Sequence, residues 1–269
     1  MTAAEQPLPP AIDLPSSLLV RRHGAVAVLS LNRPTKRNAL NDETVLGIER
    51  FFTHLPADVG SVVIAAKGDH FSAGLDLSEI GEHDTISGIQ HSRMWHRALD
   101  LIEFGPVPVV CALHGAVVGG GLELAAAAHL RVAERSTFYA LPEGMRGIFV
   151  GGGAAVRVPR LIGVARMTDL MLTGRRYDAL EGHAAGLSQY VVEDGAGLDC
   201  AVQLAERIAQ NAPQTNYAII QALPRIAEAN PREGYFMEAM MAAIAQGTDD
   251  AKERMRAFLD GRAEKVTDR

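Results

Sequence analysis

The sequence predicts a layered α/β protein that ends in an all-helical region. Three observations carry this. Of 269 residues, 48% are hydrophobic but only 5% are aromatic, so the core is aliphatic. Glycine is in surplus, with 26 residues, about 10% of the chain against a usual ~7%, which implies that the backbone approaches something closely. Through the first two-thirds, short β-type runs alternate with amphipathic helical stretches, the pattern of helices packed on sheets. A chain this long buries a full core without disulfides, as one large domain or one domain with an appendage. A charged fraction of 22% and a mean hydropathy near zero exclude a disordered chain and a membrane bundle. The net charge of −6 argues against a nucleic-acid surface.

In chain order, residues 1–16 read as a loose tail marked by Pro7, Pro9, Pro10 and Pro15, with no basic and apolar leader. Ala25 to Leu31 is a strand, ended by Asn32-Arg33-Pro34 because proline lacks a ladder donor. Asp42 is placed to cap a helix whose Val45, Ile48, Phe52 and Leu55 share one face. Ser61 to Ala66 and Val107 to Ala112 are buried-type strands. The loop from Asp69 to Leu77 is expected to open a helix, and Leu122 to Leu130 forms another after Gly119-Gly120-Gly121. The uncharged stretch Phe104 to Leu122 is nominally long enough to span a bilayer, but Pro106, Pro108, His114 and its glycines make it a strand, loop and helix entry. The α/β core is therefore expected over 17–197. Over 198–269 only helical stripes remain: Leu198, Val202, Ala205 and Ile208, then Met237, Met240, Met241 and Ile244, then Met255, Phe258 and Leu259. This last region reads as a docking or oligomerisation element. Cys111 and Cys200 form no disulfide framework, which makes a reduced, cytoplasmic setting the expectation.

The chemistry candidates lie at the glycines. Unpaired N–H groups at the start of the helix after Gly119-Gly120-Gly121 favour negative charge. The sequence fits neither a GxxxxGK[ST] loop nor a GxGxxG spacing, so a nucleotide site is a poor reading. The alternatives are tight helix–strand packing, or a backbone donor to a developing oxyanion. The loop Asp69 to Leu77 is of the same kind, and Ser72 is no nucleophile elbow because His70 stands where glycine is needed. Glu123 and Glu143 occupy apolar settings, where a carboxylate needs a role or a partner. Placed together, two such groups become one acid and one base; taken singly, each reads as helix-dipole or loop polarity. The nine histidines, His91 and His96 included, show no metal-binding spacing, and His70 and His114 read as structural.

In order, these pieces resemble the crotonase (enoyl-CoA hydratase/isomerase) family. The matches are Leu31-Asn32-Arg33-Pro34 with Asn38-Ala39-Leu40-Asn41, Phe71-Ser72-Ala73-Gly74-Leu75-Asp76, and His114 through Leu124. They continue with Leu141-Pro142-Glu143, Pro159-Arg160-Leu161-Ile162-Gly163, Leu172-Thr173-Gly174-Arg175 and Ala257-Phe258-Leu259. The resemblance runs over about residues 17 to 262 and implies a crotonase-like spiral of ββα units with a C-terminal helical region that packs homotrimers, often paired into dimers of trimers.

The resemblance further implies an acyl-CoA thioester as ligand, with coenzyme A part of the substrate and no metal or redox cofactor, nucleic acid or membrane. It places the oxyanion hole at the N–H groups of Leu75 and Gly120, and the catalytic carboxylates at Glu123, mainly for the water, and Glu143, mainly for the α-carbon proton. It assigns CoA contacts to Lys36, Arg37, Ala39, Ala73, Asp76 and Leu77, and the acyl pocket to Val118, Phe149 and Gly151. The sequence departs from the family pattern at Val150 to Ala154 and at Gly261, where a CoA-contacting lysine is frequent. The expected activity is reversible hydration of a trans-2-enoyl-CoA. The alternatives are isomerase, dehydratase, C–C lyase or hydrolase chemistry on a related thioester, or non-catalytic acyl-CoA binding.

Overall fold

The computed structural model describes residues 12–79 and 84–262, and the chain divides into two units, up to Ala209 and from Gln210. The first unit is built on a sheet of β1 (Leu18–His23), β2 (Val26–Leu31), β3 (Ser61–Ala66), β4 (Val109–Leu113), β6 (Leu130–Glu134) and β9 (Tyr190–Val192), in the order β1-β2-β3-β4-β6-β9. Only the β1–β2 hairpin pairs antiparallel; the other pairings are parallel. A second sheet, β5-β7-β8, joins β5 (Ala116–Val118), β7 (Phe138–Ala140) and β8 (Arg176–Asp178).

Alternation along the central strands divides the core. Val26 and Val28, Val63 and Ala65, and Val110 and Ala112 point to one face, where Ala201 and Ala205 of α7 (Gly197–Ala209) cover them. Ala27, Leu29 and Leu31, Val62 and Ile64, and Val109, Cys111 and Leu113 point to the other. There they meet α1 (Asp42–Thr53), α2 (Thr85–Glu103) and α3 (Gly120–Ala127), and α4 (Ala154–Ile162), α5 (Val164–Thr173) and α6 (Ala179–Ala185) follow in the chain. A sheet covered on both faces explains why these strands read as continuous apolar runs. Burial pushes the Cys111 thiol up to about 12, which leaves it inert at neutral pH.

Several boundaries differ from the sequence reading. β1 was not expected; its LLVRRH run carries charges because it is the edge of the sheet. Asn41, not Asp42, caps α1, its side chain accepting from Thr44 N at 3.1 Å. The helix after the triple glycine ends at Ala127, and Leu130 already belongs to β6. Among the described residues a short turn, Leu77–Glu79, follows the Asp69–Leu77 loop, and the next helix, α2, begins at Thr85. The helical stripe from Leu198 to Ile208 is α7, which packs on the sheet, so the first unit extends past the expected boundary at 197. Of the expected tail, residues 1–11 lie outside the described residues, while Pro15 is buried. The second unit comprises α8 (Pro213–Glu228), α9 (Pro231–Gly247) and α10 (Asp249–Leu259).

Arg131 ties down the end of α3. Fully buried, it donates from Nη1 to Ala128 O at 2.5 Å and Ala125 O at 3.3 Å, and from Nε to Leu187 O at 2.7 Å. It thereby satisfies carbonyls that a helix C-terminus leaves orphaned. Arg131→Leu strands these acceptors in the core, and urea unfolding is expected to show a loss of about 3 kcal/mol; an unchanged midpoint contradicts that role.

Candidate active site

Two backbone donors face one small space. Leu40 N donates to Gly74 O at 2.8 Å and Asp76 N to Leu40 O at 2.9 Å, so the intervening Leu75 N–H is turned the other way. Ser72 N to Ala116 O at 2.9 Å and Val118 N to Ser72 O at 3.1 Å bind the same segment to β5. Gly120 opens α3, where the first N–H groups have no helical acceptor. Among the described residues neither Leu75 N nor Gly120 N meets a protein acceptor.

The gap between them is kept open because Gly74 and Gly120 lack a β-carbon. A methyl on Gly74 would lie 2.7 Å from Val118 O and 3.2 Å from Gly120 N, and its φ of +96° already disfavours other residues. A methyl on Gly120 would lie 3.2 Å from Leu75 N.

The surrounding loop is held by Asn38, which the sequence reading quoted only within a motif. Buried at φ +53°, it donates from Nδ2 to Lys67 O at 2.8 Å and His70 O at 2.7 Å, and accepts from Arg33 N at 2.8 Å. Asparagine tolerates this left-handed conformation. Asp76, expected at the coenzyme, braces this loop: Arg33 Nη2 lies 2.9 Å from its carboxylate and Ser78 Oγ 2.6 Å. The Ser78 hydroxyl, then Arg33, hold its carboxyl below the usual range despite burial. Ala73 N donates to Arg37 O at 3.0 Å, and the Ala39 carbonyl accepts from Arg33 at 2.7 Å. Lys36, Arg37 and Leu77 are exposed at the rim, with Lys36 Nζ 3.4 Å from Ser78 Oγ.

The two glutamates lie inside. Glu123, 5% exposed, sits in the first turn of α3. Its Oε1 accepts from Gly152 N at 2.8 Å and Ala154 N at 3.0 Å, donors at the entry to α4 (Ala154–Ile162). A methyl on Gly152 would lie 2.8 Å from its Oε2. Burial pushes the Glu123 carboxyl up, opposed by these N–H groups and by Arg157. Glu143, 8% exposed, has an Oε2 with no protein partner, and a methyl on Gly119 would lie 2.6 Å from its Oε1. Its carboxyl is also pushed up, chiefly by burial and further by the charge of Glu123. The carboxylates therefore sense each other beside the two donors, and one proton is shared more readily than two charges are held.

Arg157 belongs to this site although the sequence reading passed over it, and so does Trp95, the last residue of the segment that the family resemblance sets beside the acyl chain. Buried Arg157 on α4 donates to Asp100 at 2.6 Å and Glu103 at 2.5 Å on α2, and to Gly152 O at 3.2 Å. It holds the turn whose N–H groups grip Glu123. The Trp95 ring lies against Gly120 and Gly152. Both are remote in sequence from the residues they serve, so only the fold brings them together. Of the expected acyl-pocket residues, Val118 is half-buried with its carbonyl beside Gly74, and Gly151 packs on Ser92. Phe149, at 71% exposure, lies at the surface. His70 and His114 make structural bonds, from Ala116 N and to Gly68 O, and His91 pairs with Asp42. Among the described residues no three His, Cys, Asp or Glu side chains gather as a metal site.

Comparison with known proteins gives concordant results. The family model described as enoyl-CoA hydratase/isomerase matches residues 21–269. A short-chain-enoyl-CoA hydratase of Clostridium acetobutylicum is 30% identical over 250 residues, covering 92% of this chain and 96% of the relative. A 2,3-dehydroadipyl-CoA hydratase of Escherichia coli is 31% identical, with 92% and 97% covered. Among solved structures, a provisionally named enoyl-CoA hydratase from Rhodopseudomonas palustris is 58% identical with a TM-score of 0.91, covering 94% of this chain and 98% of that one.

The raised Glu143 carboxyl has a consequence for stability. A folded-state value above the unfolded one makes a contribution that is present below the ordinary glutamate range and is lost as pH rises through the folded value. Glu143→Gln, which cannot ionise, is therefore expected to unfold at higher urea than the parent at neutral pH, the difference shrinking below the ordinary glutamate range. A parent that is more stable than the variant at neutral pH contradicts this.

Proposed function

Because the chain belongs to the enoyl-CoA hydratase/isomerase family, we propose that it is an enoyl-CoA hydratase, adding water reversibly to a trans-2-enoyl-CoA thioester. The observation that carries this reading is the presence of two buried glutamates, the charge of Glu123 raising the Glu143 carboxyl, beside two unpaired backbone donors. The thioester carbonyl oxygen accepts from Leu75 N–H and Gly120 N–H, which stabilise the enolate as negative charge builds on that oxygen. Glu123, its Oε1 anchored by Gly152 and Ala154, offers Oε2 to a water and takes its proton as the oxygen bonds to the β carbon. Glu143 delivers a proton from its carboxyl to the α carbon. Across the cycle one water is consumed and both carboxyls recover their protonation by exchanging one proton. An isomerase needs only one carboxylate, so the retention of both favours hydration. The thioester, two carboxylates and two N–H groups complete this chemistry, with coenzyme A carried by the substrate.

Lys36, Arg37 and Leu77 at the rim, with Ala39 and Ala73 behind them, are proposed as the surface that meets the coenzyme; Asp76 supports it from within. The second unit leaves Tyr235, Phe236, Ile244, Phe258 and Leu259 exposed, an apolar surface that supports association into a homotrimer or a dimer of trimers. The reading also places the enzyme in the cytoplasm, consistent with its two free cysteines and with the absence, among the described residues, of a helix long and apolar enough to cross a membrane.

Following the conjugated enoyl-thioester absorbance tests the reaction. Glu123→Gln and Glu143→Gln are each expected to lower kcat by about 10²–10⁴. Gly120→Ala, which fills the oxyanion gap, is expected to lower it by about 10²–10³. Full activity in either glutamine variant removes the mechanism. Sedimentation is expected to return three or six times the mass of one chain, and a monomer contradicts the assembly.

A further inference from the structure

Trp95, the single tryptophan of the chain, takes no part in the reaction as derived, yet it occupies a decisive place. It lies on α2, 3% exposed. The benzo edge of its ring meets both halves of the site. A methyl on Gly120 would lie 3.0 Å from Cη2 and 3.2 Å from Cζ3, and a methyl on Gly152 would lie 2.8 Å from Cε3. Gly120 carries a donor to the thioester oxygen, and Gly152 holds the carboxylate that acts at the β carbon. In the proposed mechanism the reacting carbons span these two points, and the indole stands against both. One turn earlier on the same helix face, Ser92 packs on Gly151, so α2 forms a continuous wall there. The indole N–H is buried without a protein acceptor. The ring is thus placed by packing alone, and what it contributes to the site is volume.

We propose that Trp95 sets the upper limit of acyl-chain length, its indole filling the space beyond the β carbon so that the site takes short, linear 2-enoyl thioesters. This rests on the hydratase reading for its geometry. An aromatic ring in a close-packed site can exclude longer chains because interiors yield little to added volume.

The test is kcat/KM for four-, six-, eight- and ten-carbon 2-enoyl-CoA substrates with the parent, Trp95→Phe and Trp95→Ala. The parent is expected to lose about tenfold or more between six and ten carbons, since one methylene changes such discrimination by about 10–200-fold. Trp95→Ala is expected to raise the ten-to-four-carbon ratio by about tenfold or more, with Trp95→Phe between. A flat parent profile, or an unchanged ratio in a folded variant, overturns the proposal. If Trp95→Ala does not fold, Trp95→Leu and Trp95→Phe decide it by the same ratio.

A binding measurement on the parent is independent of turnover. Butyryl-CoA is expected to change the emission of Trp95 where free coenzyme A does not. Dodecanoyl-CoA is expected to bind about tenfold or more weakly than butyryl-CoA; equal affinities overturn the proposal. Length-selective binding without hydration would remove the hydratase reading and sustain the role of Trp95, whereas hydration at equal rates for all lengths would do the reverse.

Discussion

Holding two glutamates in an apolar interior is the constraint on which this structure depends. A carboxylate taken out of water without a partner is strongly disfavoured, and among the described residues neither Glu123 nor Glu143 forms an ion pair. The protein meets the requirement differently at each. Glu123 receives two backbone N–H groups from the start of α4, which also presents the positive end of a helix. Glu143 receives no donor at its Oε2 and keeps a carboxyl that favours its proton. Burial pushes both carboxyls up, at Glu123 against two backbone donors and at Glu143 with no donor at its Oε2.

The glycines follow from that constraint. Nine of the 26 lie between Gly115 and Gly153. Methyl groups on Gly119 and Gly152 would collide with the two carboxylates, and methyl groups on Gly74 and Gly120 would fill the gap between the two donors. Part of the compositional surplus, at Gly119, Gly120 and Gly152, is therefore a set of absent β-carbons beside the two carboxylates and the Leu75 donor. Arg131 at the far end of α3 and Arg157 on α4 keep that space in register, one by binding helix-end carbonyls and the other by clamping the Gly152 turn to α2.

Much of this was legible before the fold was known, because the local signals are strong. Gly119-Gly120-Gly121 ahead of a helix former placed Glu123 in a first turn, and the apolar runs at 61–66 and 107–112 marked strands buried on both faces. What escaped the sequence depends on distance along the chain. Asn38, Arg157 and Trp95 act on residues 29, 54 and 25 or more positions away, and no periodicity reveals such partners. The brace at Asp76 escaped for a related reason: its neighbours in sequence line the rim, but its own carboxylate turns inward to Arg33 and Ser78. The boundary expected at 197 failed because the stripe on α7 reads the same whether it packs on a sheet or on another helix.

The central claim is that water adds across the double bond of an enoyl thioester held by Leu75 and Gly120, with Glu123 and Glu143 moving the protons. The most direct measurement is mass spectrometry of the product formed from a 2-enoyl-CoA in oxygen-18 water and, separately, in deuterium oxide. The predicted product carries the labelled oxygen on the β carbon from the first solvent and one non-exchangeable deuterium on the α carbon from the second. Deuterium incorporation with a migrated double bond and no oxygen label would contradict the account.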